Sequence, residues 1–345
     1  MSSVKAERRA TSEHIGDIAG LEACIGKTPG PMSLKVVDHL DAGAQKWLAA
    51  SPLLFAAFAS QTEVALTLAG GEPGFAEIVT DGRFRIPMAL IDDPHSAHVG
   101  DGFGSLLLIP TIGETLRVNG RVATIDSDAI EIAVEECYVH CAKALIRSDF
   151  WMAQPRADAP HDPGAFLAAS RFIALATADA HQDADVSPKG DPAGRLIRLA
   201  DDAVWFADRP GNRRADSFRN VLTQPRVAIT ALIPGAHRVV RLRGDADIST
   251  DDRMRASFTV QEKTPLLATR IEPVRIEIVD SPALARARLW PAMAPDEAID
   301  AAAILVGHIK LSKERGIQAS LVRRAVSVPG IMRKGLQHDY KTNLY

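Results

Sequence analysis

The sequence predicts a mainly β fold with some helix: two tandem copies of one small barrel-like domain, followed by C-terminal helices. Three observations carry this expectation. Short apolar runs bounded by turn residues recur between residues 50 and 280. The runs come in the same order twice. Beyond residue 292 the pattern changes to helical spacing that has no earlier counterpart.

The repeat shows as matched segments in register. Leu48-Ala-Ala-Ser51 matches Leu167-Ala-Ala-Ser170. Ile109-Pro-Thr-Ile-Gly-Glu-Thr-Leu-Arg-Val-Asn-Gly120 matches Ile233-Pro-Gly-Ala-His-Arg-Val-Val-Arg-Leu-Arg-Gly244. Residues 144–151, ending in Trp151, match residues 284–290, ending in Trp290. A proline-rich polar stretch, Gln154-Pro-Arg-Ala-Asp-Ala-Pro-His-Asp-Pro163, separates the copies. The expected organisation is a loose N-terminal arm (1–30), a first domain (31–155), a second domain (156–292) and a C-terminal helical extension (293–345).

The elements follow in order. Residues 41–50 read as a leading helix, then strands at 75–80, 104–109, 115–125 and 129–140. The second copy opens with a helix at 162–170 and continues with strands at 172–177, 196–199, 204–206, 227–233, 239–248 and 271–279. Residues 271–279 alternate with the period of a half-buried strand. A helix at 213–222, with Phe218, Val221 and Leu222 on one face, interrupts the strands. About six strands with one or two helices per copy predict a small closed β-barrel. Residues 295–311 carry an acidic first turn and helical spacing, a second helix covers 318–325, and 334–345 read as a polar tail. This extension suits packing or dimer formation better than catalysis.

Composition narrows the function classes. The chain has 345 residues, 46% hydrophobic and 24% charged, with a net charge of −3. That balance is ordinary for a globular protein and argues against wholesale nucleic-acid binding. No apolar run approaches the ~20 residues of a membrane helix, and the polar N-terminus lacks a secretory core. Cys24, Cys137 and Cys141 are too scattered for a disulfide framework, so a reduced, cytoplasmic protein is expected.

One motif carries chemistry. In Asp208-Arg-Pro-Gly-Asn-Arg-Arg-Ala-Asp-Ser-Phe-Arg-Asn220, adjacent arginines follow a Pro-Gly turn and open a helix, with Asn212 at the N-cap position. Free N–H groups and guanidiniums together seat a phosphate. The plain alternative is a solvated, arginine-rich helix start.

This stretch, with Ser187-Pro-Lys-Gly-Asp-Pro192, Gly113-Glu-Thr-Leu-Arg-Val-Asn-Gly-Arg121 and His140-Cys-Ala-Lys-Ala-Leu-Ile-Arg-Ser-Asp-Phe-Trp151, resembles the flavin-binding split-barrel family related to pyridoxamine 5'-phosphate oxidase. The resemblance spans most of residues 40–290. It implies two tandem split β-barrels acting as a pseudo-dimer, with FMN as cofactor. By the same resemblance Asn212, Arg213 and Arg214 would grip the FMN phosphate, with Arg198, Lys189 and Ser187 near the cofactor. Arg198 reads equally as an outward strand residue, and Ser187 as a turn closer.

The copies are unequal. Where the first should carry the clamp it has residues 86–98, with Asp92 and Asp93, which would repel a phosphate. Of the first copy's set of Glu114, Thr115, Arg117, His140 and Lys143, the second has a counterpart only to Arg117, namely Arg241, which reads as structural. The expectation is therefore one composite FMN site per chain, the clamp facing that set across the cleft. The resemblance assigns Arg117 to an anionic substrate; a salt bridge to Glu114 is the alternative. His140 suits proton transfer near neutral pH, or is a satisfied histidine at a strand end. Lys143 orients an anion or is a solvated lysine. A zinc site at Cys137, His140 and Cys141 is disfavoured, because neighbours on a strand point to opposite faces.

The implied function is an FMN-dependent oxidoreductase acting on a small anionic or heteroaromatic molecule, with NADH or NADPH as possible reductant. Pyridoxamine phosphate oxidation itself is not expected, since Ala285-Arg-Ala-Arg-Leu-Trp290 lacks that enzyme's Arg-x-His motif. The competing readings are a non-catalytic flavin- or haem-binding protein and a pure assembly scaffold. A homodimer is a further expectation.

Overall fold

The structure is a computed structural model and describes residues 13–27, 30–211, 215–295, 298–328 and 330–345. A short strand β1 (His14–Ile15) and helix α1 (Ile18–Ile25) precede the first half. That half comprises α2 (Ala42–Ala50), β2 (Leu53–Ala59), β3 (Val64–Gly70), β4 (Glu77–Thr80), β5 (Arg83–Pro87), β6 (Gly102–Leu108), β7 (Thr115–Ile125), β8 (Ala129–His140) and α3 (Lys143–Arg147).

The second half comprises α4 (Pro163–Ala169), β9 (Phe172–Ala178), β10 (Ala184–Gly190), β11 (Ile197–Ala200), β12 (Ala203–Ala207), α5 (Asp216–Thr223), β13 (Arg226–Leu232), β14 (Arg238–Ser249), α6 (Asp252–Ser257), β15 (Ala268–Asp280) and α7 (Pro282–Ala287). Helices α8 (Ala301–Leu311), α9 (Ile317–Val326) and α10 (Ile331–Thr342) complete the chain. Among the described residues no helix is long and apolar enough to cross a membrane.

The strands form two antiparallel sheets. The first runs β3-β2-β6-β7-β8-β5-β4 and the second β10-β9-β13-β14-β15-β12-β11, with β1 beside β14. Counted from the first strand of each half, the orders are identical. Local details repeat as well. Asp41 caps α2 by accepting from the Ala44 N–H at 2.8 Å, and Asp162 caps α4 by accepting from Ala165 at 2.8 Å. The register shifts at Asn119/Gly120 in β7 and at Arg243/Gly244 in β14. A Cβ on Gly120 would stand 1.9 Å from the Ala133 carbonyl oxygen, and one on Gly244 2.2 Å from that of Glu272, so both bulges require glycine.

Three apolar cores explain why the central strands are continuous hydrophobic runs. Every residue of β2 is buried. Leu54, Ala56 and Phe58 face the first half's own core, with Trp47 and Leu48 of α2. Leu53, Phe55, Ala57 and Ala59 face the other way, into a core shared with Phe172, Ala174 and Ala176 of β9. Ile173 and Leu175 of β9 then point into the third core, with Phe166 and Leu167 of α4. The two sheets thus pack back to back, each covered on its far side.

Several expectations need correction. The sheets are open along these paths, since among the described residues the end strands of each do not pair with one another; the closed barrel expected from strand count does not form. Residues 14–25 are not a loose arm: His14 and Ile15 pair with Ser249 and Ile248, and Leu21 is fully buried in the third core. The polar tail 334–345 is mostly helical, lying in α10. Helix α5 starts at Asp216 rather than 213, after Ala215 at φ 58°. Helix α8 starts at 301, where Asp300 accepts from the Ala303 N–H, rather than at 295. Strands β1, β2, β3, β5 and β10 add to those read from the sequence.

Candidate functional site

A cavity of about 220 Å³ opens in the seam between the halves. The first half contributes Arg117 from β7, His140 from the end of β8, Cys141, and Lys143 and Arg147 from α3. The second half contributes Ser187 and Lys189 from β10, the turn 208–211, and 215–218 at the start of α5.

Arg117 is the hub. Its side chain is 3% exposed. Nη1 donates to the Tyr138 hydroxyl at 2.8 Å and to Asp185 Oδ1 at 2.9 Å, and Nη2 donates to Ser187 Oγ at 2.8 Å. Asn119 Nδ2 also donates to Asp185, at 3.2 Å, and Ser217 Oγ bonds Ser187 Oγ at 2.8 Å. Burial alone would depress the guanidinium, but Tyr138, Asp185 and Asp216 more than offset it, so Arg117 stays cationic. Breaking such a buried pair costs about 3–5 kcal/mol. The carboxylate that meets Arg117 is thus Asp185, across the seam, and not Glu114. Arg117 Nε is buried without a partner among the described residues.

A second ionic group closes the far end of the cavity. Arg209 Nε donates to Asp191 Oδ2 at 2.7 Å, and Arg147 Nε lies 3.8 Å from Asp191 Oδ1 while donating to the Gly190 carbonyl at 2.9 Å. Asp191 is fully buried, and burial pushes its carboxyl up although both guanidiniums oppose that. Lys143 is also buried rather than solvated; its Nζ meets Asp339 of α10 at 2.9 Å.

His140 stays neutral. Burial drives its pKa well below the ordinary imidazole value, and Arg117, Lys35 and Lys189 add to the effect against an opposing hydrogen bond with the Cys141 backbone. Its Nδ1 is buried and, among the described residues, makes no hydrogen bond. Lys189 Nζ donates to Asp208 Oδ1 at 3.2 Å and lies 5.3 Å from the centre of the Phe218 ring.

The expected site residues therefore divide. Arg117, His140, Lys143, Ser187 and Lys189 converge on the cavity. Asn212, Arg213 and Arg214 lie outside the described residues, but Gly211 and Ala215 on either side of them line the cavity. Arg198 is not a lining residue: Nη2 donates to the Gly194 and Ser257 carbonyls, and the guanidinium stacks 4.9 Å from the Phe258 ring centre. Glu114 and Thr115 sit behind the wall. Glu114 accepts from the Tyr340 hydroxyl at 3.0 Å, and Thr115 is fully buried opposite His140 in the β7–β8 register. Sequence reasoning missed Asp185, Asn119, Arg147, Asp191 and Arg209. The signal for Arg209 was available, since it precedes the Pro-Gly turn already singled out.

The equivalent place in the other seam is filled by the chain itself. Arg241 occupies in β14 the position of Arg117 in β7, each three residues before its bulge glycine. Asp92, whose side chain is 2% exposed, approaches Arg241 Nη2 at 3.4 Å. Its carboxylate also accepts from the Ala283 N–H at 2.8 Å and from the Ser281 hydroxyl at the start of α7.

Residues 164–280 match the family model described as pyridoxamine 5'-phosphate oxidase. Among solved structures, HupZ of Group A Streptococcus is 19% identical, covering 33% of this chain and 88% of its own, with a TM-score of 0.27. General Stress Protein 26 of Bacillus anthracis is 15% identical, covering 32% of this chain and 89% of its own, with a TM-score of 0.25. Shared shape at those scores says nothing about shared chemistry. A comparison with curated proteins finds no match.

Proposed function

We propose that the protein binds one FMN per chain in the seam cavity and works as a flavin-dependent oxidoreductase on a small anionic or heteroaromatic molecule. In this reading the halves are split barrels derived from a tandem duplication and act as a pseudo-dimer. The observation that carries it is a cavity walled by cationic side chains of both halves, beside the turn 208–211 in the segment that matches the oxidase family model.

The residues fit such a cofactor. Arg117 Nε and His140 Nδ1 are orphaned donors or acceptors in the wall, which a ligand with carbonyl and ring nitrogen atoms would satisfy. In this reading the phosphate is assigned to Asn212, Arg213 and Arg214, which lie in the sequence between the lining residues Gly211 and Ala215. Bound flavin supplies the electron transfer. The chain's own residues do the rest. The Arg117–Asp185 pair fixes the seam. Neutral His140 can accept a proton from, or return one to, a substrate atom at the wall. Lys189 offers a cation beside the apolar Phe218 ring.

A second reading, haem binding without turnover, draws on the same neutral His140. Colour separates them: flavin bands support the first reading and a Soret band the second. Titration with FMN, followed by fluorescence, is expected to reach one per chain. The Arg213→Ala/Arg214→Ala pair should weaken binding about 10–100-fold, from the loss of charge-assisted phosphate contacts. Two flavins per chain, no binding by folded protein, or full occupancy in the double variant would overturn the proposal.

A further inference from the structure

The same wall that would receive the ligand is held by the C-terminal segment. Asp339 pairs with Lys143 at 2.9 Å. The Tyr340 hydroxyl accepts from the Ala142 N–H at 3.3 Å and donates to Glu114 at 3.0 Å. Arg147 Nη1 donates to the Leu344 carbonyl at 2.8 Å. The Tyr345 ring lies 6.0 Å from the Arg147 guanidinium and 5.4 Å from that of Arg209, and Lys263 Nζ donates to the Tyr345 carbonyl at 2.9 Å. Lys143, Arg147 and Arg209 are all cavity-lining residues.

This attachment is polar. Helix α10 buries no residue, so no apolar core must be opened to lift it. Asp339 is 43% exposed while its partner Lys143 is 5% exposed, so lifting the segment returns both charges to water and leaves neither buried without a partner. The segment joins the rest of the chain at Gly330, which has φ +77° and open space where a Cβ would be. The cavity that Lys143, Arg147 and Arg209 help to line, about 220 Å³, falls short of the roughly 300–1,000 Å³ of ordinary ligand pockets.

We propose that residues 331–345 form a displaceable strap that closes the seam cavity by occupying its cationic wall, and that ligand entry and exit require the strap to lift about Gly330. The ligand's identity rests on the flavin reading, whereas the closure itself does not. An incoming anion competes with Asp339 and Leu344 for Lys143 and Arg147.

Cys141 reports the closure directly. It lines the cavity next to Ala142, while Cys137 is fully buried. In a full-length Cys24→Ser background, the rate of Cys141 labelling by a thiol-reactive disulfide reagent is measured without any ligand. Asp339→Asn/Tyr340→Phe should label at least tenfold faster than the parent, and Tyr340→Phe alone, which removes one hydroxyl, should fall between. FMN dissociation should accelerate in the same order. Unchanged labelling in both variants overturns the strap, even if FMN binds. Faster labelling in a protein that binds no FMN upholds the strap and sinks the flavin reading alone.

Discussion

Across one seam, Arg147 Nε donates to the Gly190 carbonyl at 2.9 Å, and a Cβ on Gly190 would stand 2.0 Å from the Ala144 carbonyl oxygen. Across the other, Arg286 Nε donates to the Gly70 carbonyl at 3.0 Å, and a Cβ on Gly70 would stand 2.4 Å from that of Ala283. The backbone approach, its glycine and its arginine are the same. The contents differ. Lys143 begins α3 in the first seam, and Pro282 begins α7 in the second. His140 pairs with Thr115, whereas Val279 pairs with Val239. Arg117 lines a cavity while pairing with Asp185 and Ser187, and Arg241 meets Asp92. The packing contacts that join the halves are therefore separable from the chemistry they frame: a carboxylate of the chain itself can sit where the other seam leaves room for a ligand.

The largest test of this comparison is to empty the filled seam. Asp92→Ala leaves Arg241, the Ala283 N–H and the Ser281 hydroxyl without their acceptor. Removing one member of a buried pair costs about 3 kcal/mol or more, which lowers the melting temperature by about 4 °C or more in a chain of 345 residues. Asp92→Asn, which keeps an acceptor oxygen, should cost less than half as much. Equal melting of wild type and Asp92→Ala would mean that the second seam does not depend on its internal carboxylate.

How much of this was legible beforehand follows from where the partners lie. Strands β7 and β8 were bounded correctly because apolar alternation ends at the turn Asp126-Ser-Asp128, where Asp126 accepts from the N–H groups of Asp128 and Ala129. Strand β10 was not read as a strand, since Asp185, Ser187, Pro188 and Lys189 break any apolar pattern. It is nevertheless mostly buried, because Arg117, distant in sequence, supplies its ionic partner. The same separation hid Asp191 and Arg209, whose neighbour Arg147 comes from the first half. Helix α10 carries only a short, half-buried stripe, Met332, Leu336 and Tyr340, and Asp339 and Tyr340 on the same side reach Lys143 and Ala142, some two hundred positions earlier. Local pattern reveals what a segment needs for its own packing, and pairings completed by another half of the chain leave no such mark.

A smaller effect separates His140 from Val279, its counterpart in the second seam. The folded pKa of His140 lies well below that of an unfolded histidine, about 6.5. The unfolded chain therefore takes up a proton that the folded chain refuses, and stability falls as pH drops below about 6.5. The contribution is at most about 1.4 kcal/mol per pH unit. Denaturant melts of wild type and His140→Gln at a series of pH values should diverge below that point, with wild type the steeper. Parallel profiles would mean that His140 is free to charge in the folded protein, and the contrast with the second seam would lose its titrating group.

The smallest effect concerns Arg198, which the family resemblance placed near the cofactor. Its position in β11 corresponds by strand register to Glu77 in β4, a strand exposed along its whole length. The difference arises from the connections that follow. The link from β7 to β8 is a tight turn, while that from β14 to β15 contains α6 and the fully buried Phe258, and Arg198 fastens this insertion through the Ser257 carbonyl and the Phe258 ring. Arg198→Ala should therefore cost about 1 kcal/mol of stability, the scale of a hydrogen bond plus a partly exposed cation–π contact, and change FMN affinity less than twofold. A lysine at 198 cannot reach both carbonyls and stack in the same plane, so Arg198→Lys should recover only part of the loss. Thermal melts and the fluorescence titration read both quantities on one preparation. A tenfold fall in FMN affinity with unchanged melting would return Arg198 to the cofactor and break the assignment of its side chain to the insertion.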